Sequence, residues 1–316
     1  MHKNKKLLIA ANWKMTPATV NEARKKAALF KNVAKKYQKV PKGKASLQVL
    51  VCPPYPFISE LKAAFKNSPA MVGAQDVSQF DGGSKTGEVA STMLQSLGVS
   101  HVVVGHSERR AAGDTDEMIS VKLGQVIRTK TQAILCIGES KRDEEGEYLN
   151  DVKAQLKASL ARLSNADFAR VVIAYEPVWA IGRTDNVALS GHDLHQMVIY
   201  IRKMLRDLYN DSIATSIKIL YGGSVTPENA EDIIWNGEVD GLLIGRASFD
   251  PKTYEGICKA IALPTHANLI MRQATMKRMT TIKNSKKTHS VDKNKEKVVK
   301  TMKRVKKGKS SRSKMR

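Results

Sequence analysis

Cysteine is scarce in this 316-residue chain: Cys52, Cys136 and Cys258 are the whole complement, each in an apolar or helical context and none spaced as a metal-ligand pair. That argues against a disulfide-stapled scaffold and against a zinc module, and it fits a reducing, cytoplasmic compartment. Long apolar runs are lacking too. The basic start, Met1 to Lys6, precedes only five apolar residues, too few for a secretory signal core. No stretch approaches the roughly 20 residues of a membrane span. Acids are also few, 30 against 53 Lys and Arg, for a formal charge of +23.

That charge is unevenly placed. From Thr265 onward there are 18 Lys or Arg and two acids, so this tail carries +16 and leaves +7 for the rest. The composition is that of a self-repelling segment that is disordered in isolation. Val291, Val298, Met302 and Val305 have the spacing of a short basic amphipathic helix that an anionic partner could induce. With hardly an aromatic residue, such a tail suits contact with phosphate backbones more than base reading. Any nucleic-acid or other polyanion binding would be non-specific and salt-sensitive. Two regions result: 1–264, and the basic, low-complexity tail 265–316.

Before the tail, apolar runs near Leu7, Gln48, Met71, His101, Gln132, Val171, Ile217 and Gly241 alternate with amphipathic segments. Eight β/α repeats in roughly 250 residues are the pattern of an α/β protein folded as a (β/α)8 barrel. In such a barrel the chemistry gathers where the strands end, and four strand ends stand out.

Val171-Val172-Ile173-Ala174 reads as a strand buried on both faces, with Glu176 as its last residue and Pro177 stopping the pairing. A carboxylate delivered to a loop is an arrangement for proton abstraction, although an isolated Glu-Pro is more often a surface feature. His101-Val102-Val103-Val104-Gly105 is a second strand, leading into His106 at the start of a polar, helical turn. If backbone N–H groups there point at one ring nitrogen, the imidazole is held neutral and the other nitrogen donates, whereas a lone His on a strand is usually a hydrogen-bonded core residue. In Leu7 to Lys14, strand alternation puts Asn12 and Lys14 on one face and Trp13 on the other; a solvated Lys after a strand is the plain alternative. Tyr221-Gly222-Gly223-Ser224-Val225 and Ile244-Gly245-Arg246-Ala247-Ser248 are glycine-rich turns after strands seven and eight, where such barrels hold phosphate on backbone N–H groups. Either turn alone is common in ordinary structure.

Together and in this order, Asn-Trp-Lys, Gly-His-Ser-Glu-Arg-Arg, Tyr-Glu-Pro-Val-Trp-Ala-Ile-Gly and Tyr-Gly-Gly-Ser-Val resemble the triosephosphate isomerase family, from Leu7 to about Leu263. The resemblance implies a TIM barrel that interconverts dihydroxyacetone phosphate and D-glyceraldehyde 3-phosphate through an enediolate, in glycolysis and gluconeogenesis, without metal or organic cofactor. It implies Glu176 as the base that moves the carbon proton and neutral His106 as the donor to the substrate oxygens. Lys14 would supply the positive charge and Asn12 a further donor. Glu108 would orient Lys14 and His106, a position that a helix-start carboxylate would also take. Gly182, Ser224, Gly245 and Arg246 would offer N–H groups to the phosphate, and Pro177, Val178, Trp179, Ala180 and Ile181 would begin a lid running to about Val187. The segment from Ala74 to Glu88 resembles the family's protruding third loop, so a homodimer is implied, with Thr86 supporting the partner's site.

Two positions depart from the family pattern. Arg183 to Val187 replace the usual Thr-Gly-Lys and small residues, which changes the lid hinge, and Gly245-Arg246 replaces Gly-Gly. At the second, the backbone N–H survives if the Arg246 side chain turns away; its guanidinium could instead reach the phosphate. Two other readings compete: a different sugar-phosphate enzyme on the same barrel, and a barrel serving as carrier for a tail that binds nucleic acid or an anionic surface.

Overall fold

The structure is a computed structural model that describes residues 5–40, 45–180 and 189–263. The tail from Thr265 lies outside the described residues. Eight strands, β1 (Lys6–Asn12), β2 (Ser46–Cys52), β3 (Met71–Ala74), β4 (His101–Val104), β5 (Gln132–Ile137), β6 (Val171–Tyr175), β7 (Lys218–Tyr221) and β8 (Gly241–Ile244), pair in parallel and in order. β8 closes on β1, with Leu8 opposite Gly241 and Ala11 opposite Ile244, so the sheet is a closed barrel. The expected (β/α)8 barrel is what forms.

Around it run α1 (Val20–Gln38), α2 (Ile58–Ala64), α3 (Ser91–Ser96), α4 (Ser107–Ala111), α5 (Asp116–Arg128), α6 (Tyr148–Leu160), α7 (Gly191–Leu208), α8 (Asp211–Ser216), α9 (Ala230–Trp235) and α10 (Pro251–Ala262). Local chemistry starts the longer ones. Thr19, Thr115, Ser190 and Asp250 each accept a first-turn N–H of α1, α5, α7 and α10, and Pro251 supplies the first residue of α10.

Each strand divides its side chains by the two-residue alternation of a pleat. Leu8, Ala10, Leu50, Cys52, Val103, Ile134, Cys136, Val172, Ala174, Leu220 and Leu243 fill the barrel interior as one buried cluster. Their neighbours, such as Leu7, Ile9, Ile173 and Ile219, join the separate cluster between sheet and helices. Behind β1 that outer core is aromatic. The Phe30 ring of α1 packs 5.5 Å from Trp13 and 4.4 Å from Tyr254 of α10, and the Tyr254 hydroxyl donates to the Ile9 carbonyl at 3.1 Å.

The inward phase determines what reaches the mouth. Continuing Leu8 and Ala10 by two residues gives Asn12, continuing Val172 and Ala174 gives Glu176, and continuing Leu220 and Leu243 gives Gly222 and Gly245. Among the described residues, no helix is long and apolar enough to cross a membrane.

Candidate active site

β6 stops at Tyr175, one residue short of the expected end, but Glu176 keeps the pairing through its N–H, which donates to the Ile137 carbonyl at 2.8 Å. Its side chain is buried and doubly engaged. Oε2 accepts the Ser107 N–H at 2.9 Å, and Oε1 lies 3.4 Å from Nε2 of His106. The Cys136 thiol shares this pocket; burial first and the Glu176 carboxylate second push it well above the usual thiol range. It is a protonated, inert neighbour at neutral pH.

His106 is the N-cap residue of α4, and its Nδ1 accepts the Glu108 N–H at 3.2 Å. A nitrogen that accepts an N–H carries no proton of its own. While this bond stands, the ring is neutral and its proton sits on Nε2, the nitrogen facing Glu176. The expected use of a helix start to set the imidazole therefore appears as a single, defined hydrogen bond.

Lys14 reaches the site by a different route from the one alternation suggests. β1 ends at Asn12, and Lys14 lies beyond it in left-handed backbone, φ 48°. The pleat does not extend to Lys14, so the expected shared face of a single strand is corrected to a strand end plus a turn. Asn12 makes that turn: its buried Oδ1 accepts the Lys14 N–H at 3.0 Å. The ammonium then pairs with Glu108 Oε1 at 2.5 Å, while Glu108 Oε2 lies 3.8 Å from His106 Nδ1. Glu108 thus pairs with Lys14 from an exposed position and stands beside His106, whose Nδ1 has no proton to give its carboxylate.

The two glycine-rich turns close the site. A Cβ built on Gly222 would lie 2.7 Å from Cγ of Glu176, and one on Gly245 would lie 3.1 Å from Cε of Lys14. A side chain at Gly222 would force Glu176 to shift, whereas one at Gly245 would press on the flexible Lys14 chain, which could give way by a few tenths of an ångström. Ser224 is half-buried in the first turn. Arg246 opens a 3-10 turn, Arg246–Ser248, and is exposed.

Beyond Glu176, Pro177 is buried and Val178, Trp179 and Ala180 form one 3-10 turn. Ile181, Gly182 and the altered hinge Arg183 to Val187 lie outside the described residues. Thr86 sits in the exposed stretch 81–88, and no hydrogen bond joins it to the site among the described residues.

Three contributors escaped the sequence reading. Glu139, fully buried, accepts the Tyr175 hydroxyl and the Trp179 indole N–H, each at 2.8 Å, and so anchors the turn after Glu176; burial raises its carboxyl above the usual range. Ser107 supplies only a backbone N–H. Gln75 donates through Nε2 to the carbonyls of Lys14, at 2.8 Å, and Cys52, at 2.9 Å. The only sequence signal for Glu139 was a carboxylate two residues past the β5 apolar run.

Comparison with known proteins agrees with this geometry. The family model described as triosephosphate isomerase matches residues 7–261. Relatives named triosephosphate isomerase include one from Alkaliphilus metalliredigens, 36% identical over 261 residues that cover 80% of this chain and 98% of the relative. One from Flavobacterium johnsoniae is 37% identical over 259 residues, 81% of this chain and 100% of the relative. One from Dechloromonas aromatica is 38% identical over 258 residues, 81% of this chain and 99% of the relative. With the model match spanning every strand of the barrel, and with Glu176, His106 and Lys14 gathered at its mouth, the chain belongs to the triosephosphate isomerase family.

Proposed function

We propose that this chain interconverts dihydroxyacetone phosphate and D-glyceraldehyde 3-phosphate, with Glu176, His106, Lys14 and Asn12 as the catalytic set. A carbon acid next to a carbonyl gives up its proton only if charge developing on the oxygen is stabilised at the same time. Glu176 removes the proton from one carbon and returns it to the neighbouring carbon, so no net acid or base is consumed. Nε2–H of His106 donates to the substrate oxygens and relays the proton between them. Lys14 places its ammonium against the phosphate and the enediolate, and Asn12 holds the Lys14 turn in addition to lining the mouth.

The observation that carries this reading is the joint placement of Glu176 and the Nε2 of His106, 3.4 Å apart, with the His106 tautomer set by the Glu108 N–H. Gly182, Ser224, Gly245 and Arg246 bind the substrate phosphate through backbone N–H groups. Pro177 to Ile181 open a lid that shields the enediolate from water. The chain acts in the cytoplasm, in glycolysis and gluconeogenesis, as residues 1–264 with an appended tail, 265–316. It assembles as a homodimer through the loop around Thr86. The exposed stretch 81–88 on an otherwise anchored loop supports that contact.

The test is steady-state turnover of D-glyceraldehyde 3-phosphate by the full chain, beside Glu176→Ala. Turnover that falls by about 10³-fold or more in the variant supports the reading. Turnover that is absent from the unaltered chain, or indifferent to the substitution, overturns it.

A further inference from the structure

Lys14 holds a left-handed backbone conformation that an ordinary side chain enters only at a cost, and it persists only where surrounding bonds over-determine it. Its own N–H goes to Asn12 Oδ1 at 3.0 Å, two residues back. That bond is local and shapes the turn without placing it relative to the barrel. Placement comes from Gln75, 61 residues away, whose Nε2 donates to the Lys14 carbonyl at 2.8 Å. The same nitrogen donates to the Cys52 carbonyl at 2.9 Å, and that carbonyl also accepts the Trp13 N–H at 3.1 Å. One amide therefore ties the exits of β1, β2 and β3 together, with the Lys14 peptide as the part that would otherwise be free to relax.

Gln75 is itself held. The adjoining Asp76 carboxylate is gripped at both oxygens by Lys122 Nζ, 3.0 Å each, and by Arg109 Nε at 3.0 Å. Lys122 is buried and also binds Asp114 at 2.6 Å, so the frame behind Gln75 is charged, enclosed and multiply bonded.

We propose that Gln75 is a positioning residue for Lys14: its amide fixes the Lys14 peptide in the left-handed conformation and so sets where the ammonium stands in the site. It touches no reacting atom. The proposal rests on the isomerase reading for its kinetic consequences, while its structural content stands by itself. Because Lys14 acts on the phosphate and on the developing charge alike, a displaced ammonium raises KM and lowers kcat together. General loosening of the barrel would lower kcat with the folded fraction and leave KM in place.

The experiment uses the full chain with Gln75→Met, which keeps the length and removes both donors, and Gln75→Glu, which keeps the shape and polarity. Each is made in the unaltered protein and in a Lys14→Met background. In the unaltered background kcat/KM falls by about 10²-fold with a raised KM, the scale of a misplacement near 1 Å. In the Lys14→Met background the same change costs at most about 3-fold, because there is no ammonium left to place. Equal losses in the two backgrounds, or an unmoved KM, overturn the proposal. If Gln75→Met does not fold, Gln75→Glu carries the comparison. If the unaltered chain does not isomerise triose phosphates, the isomerase reading fails, and crystal structures then decide the role of Gln75. Lys14 leaving positive φ in the variant supports it, and Lys14 unchanged near φ 48° refutes it.

Discussion

The carboxylate of Glu176 is held at the first N–H of α4: Ser107 donates to its Oε2 at 2.9 Å while its stem lies against the Gly222 backbone. To serve as a base the carboxylate must give up that N–H for a substrate carbon, so its stem needs room to turn. Gly222 provides the room, since a Cβ there would stand 2.7 Å from Glu176 Cγ, well inside the roughly 3.5–4.0 Å of a relaxed carbon contact. Gly222→Ala is expected to lower kcat by about 10- to 10²-fold and stability by about 1–3 kcal/mol. Kinetics and urea unfolding on one preparation check this; full activity would show that Glu176 does not need that space.

How much of this was legible follows from how local each signal is. The barrel was readable because each strand is an apolar run with its own boundaries, and Glu176 because Pro177 ends its strand. His106 was readable as a residue opening a helix, and the N–H it accepts is two residues away. Lys14 was identified for an incomplete reason: alternation holds only while the strand lasts, and the strand stops at Asn12. Gln75 and Glu139 were not legible as site residues. Their work is to satisfy carbonyl, hydroxyl and indole groups from distant segments, and nothing in their neighbours' identities reveals which groups the barrel brings there.

A titration effect belongs to the opposite end of the barrel. His101 begins β4 in the inward phase of Val103, with Nδ1 3.0 Å from Ser100 Oγ and Lys218 nearby; burial first and the Lys218 charge second push its pKa down to about 4. Between about 4 and the ordinary 6.5, the unfolded chain binds a proton here that the folded chain does not. Stability from this residue is therefore complete above 6.5 and lost as pH falls toward 4. Denaturant unfolding at a series of pH values is expected to show His101→Asn losing about 1–3 kcal/mol less than the unaltered chain over that window. Parallel curves would contradict the assignment of a half-buried, neutral His101.

The frame behind the third loop makes a sharper demand on charge. Lys122 is 4% exposed and Asp114 6% exposed, and the ammonium holds Asp114 at 2.6 Å and both oxygens of Asp76 at 3.0 Å. Arg109 reaches the same two carboxylates, at 3.0 Å and 3.3 Å, but from a more exposed position. Lys122→Met fills the same volume and removes the central cation, leaving two enclosed carboxylates with one partner between them. The expected loss is about 3–5 kcal/mol at neutral pH, the scale of a broken buried pair. Burial already holds the Asp76 carboxyl above its usual range with Lys122 present, and without the ammonium it rises further. A folded-state carboxyl pKa above its unfolded value costs stability at high pH and costs less as protons bind. The penalty of Lys122→Met is therefore expected to shrink as pH falls from 7 toward 4, opposite in sign to the His101 effect. Unfolding curves across that range, with Asp76→Asn added to Lys122→Met, test the assignment. The added substitution should recover part of the loss at pH 7 and little at pH 4, and a penalty independent of pH would show that Lys122 contributes through packing alone.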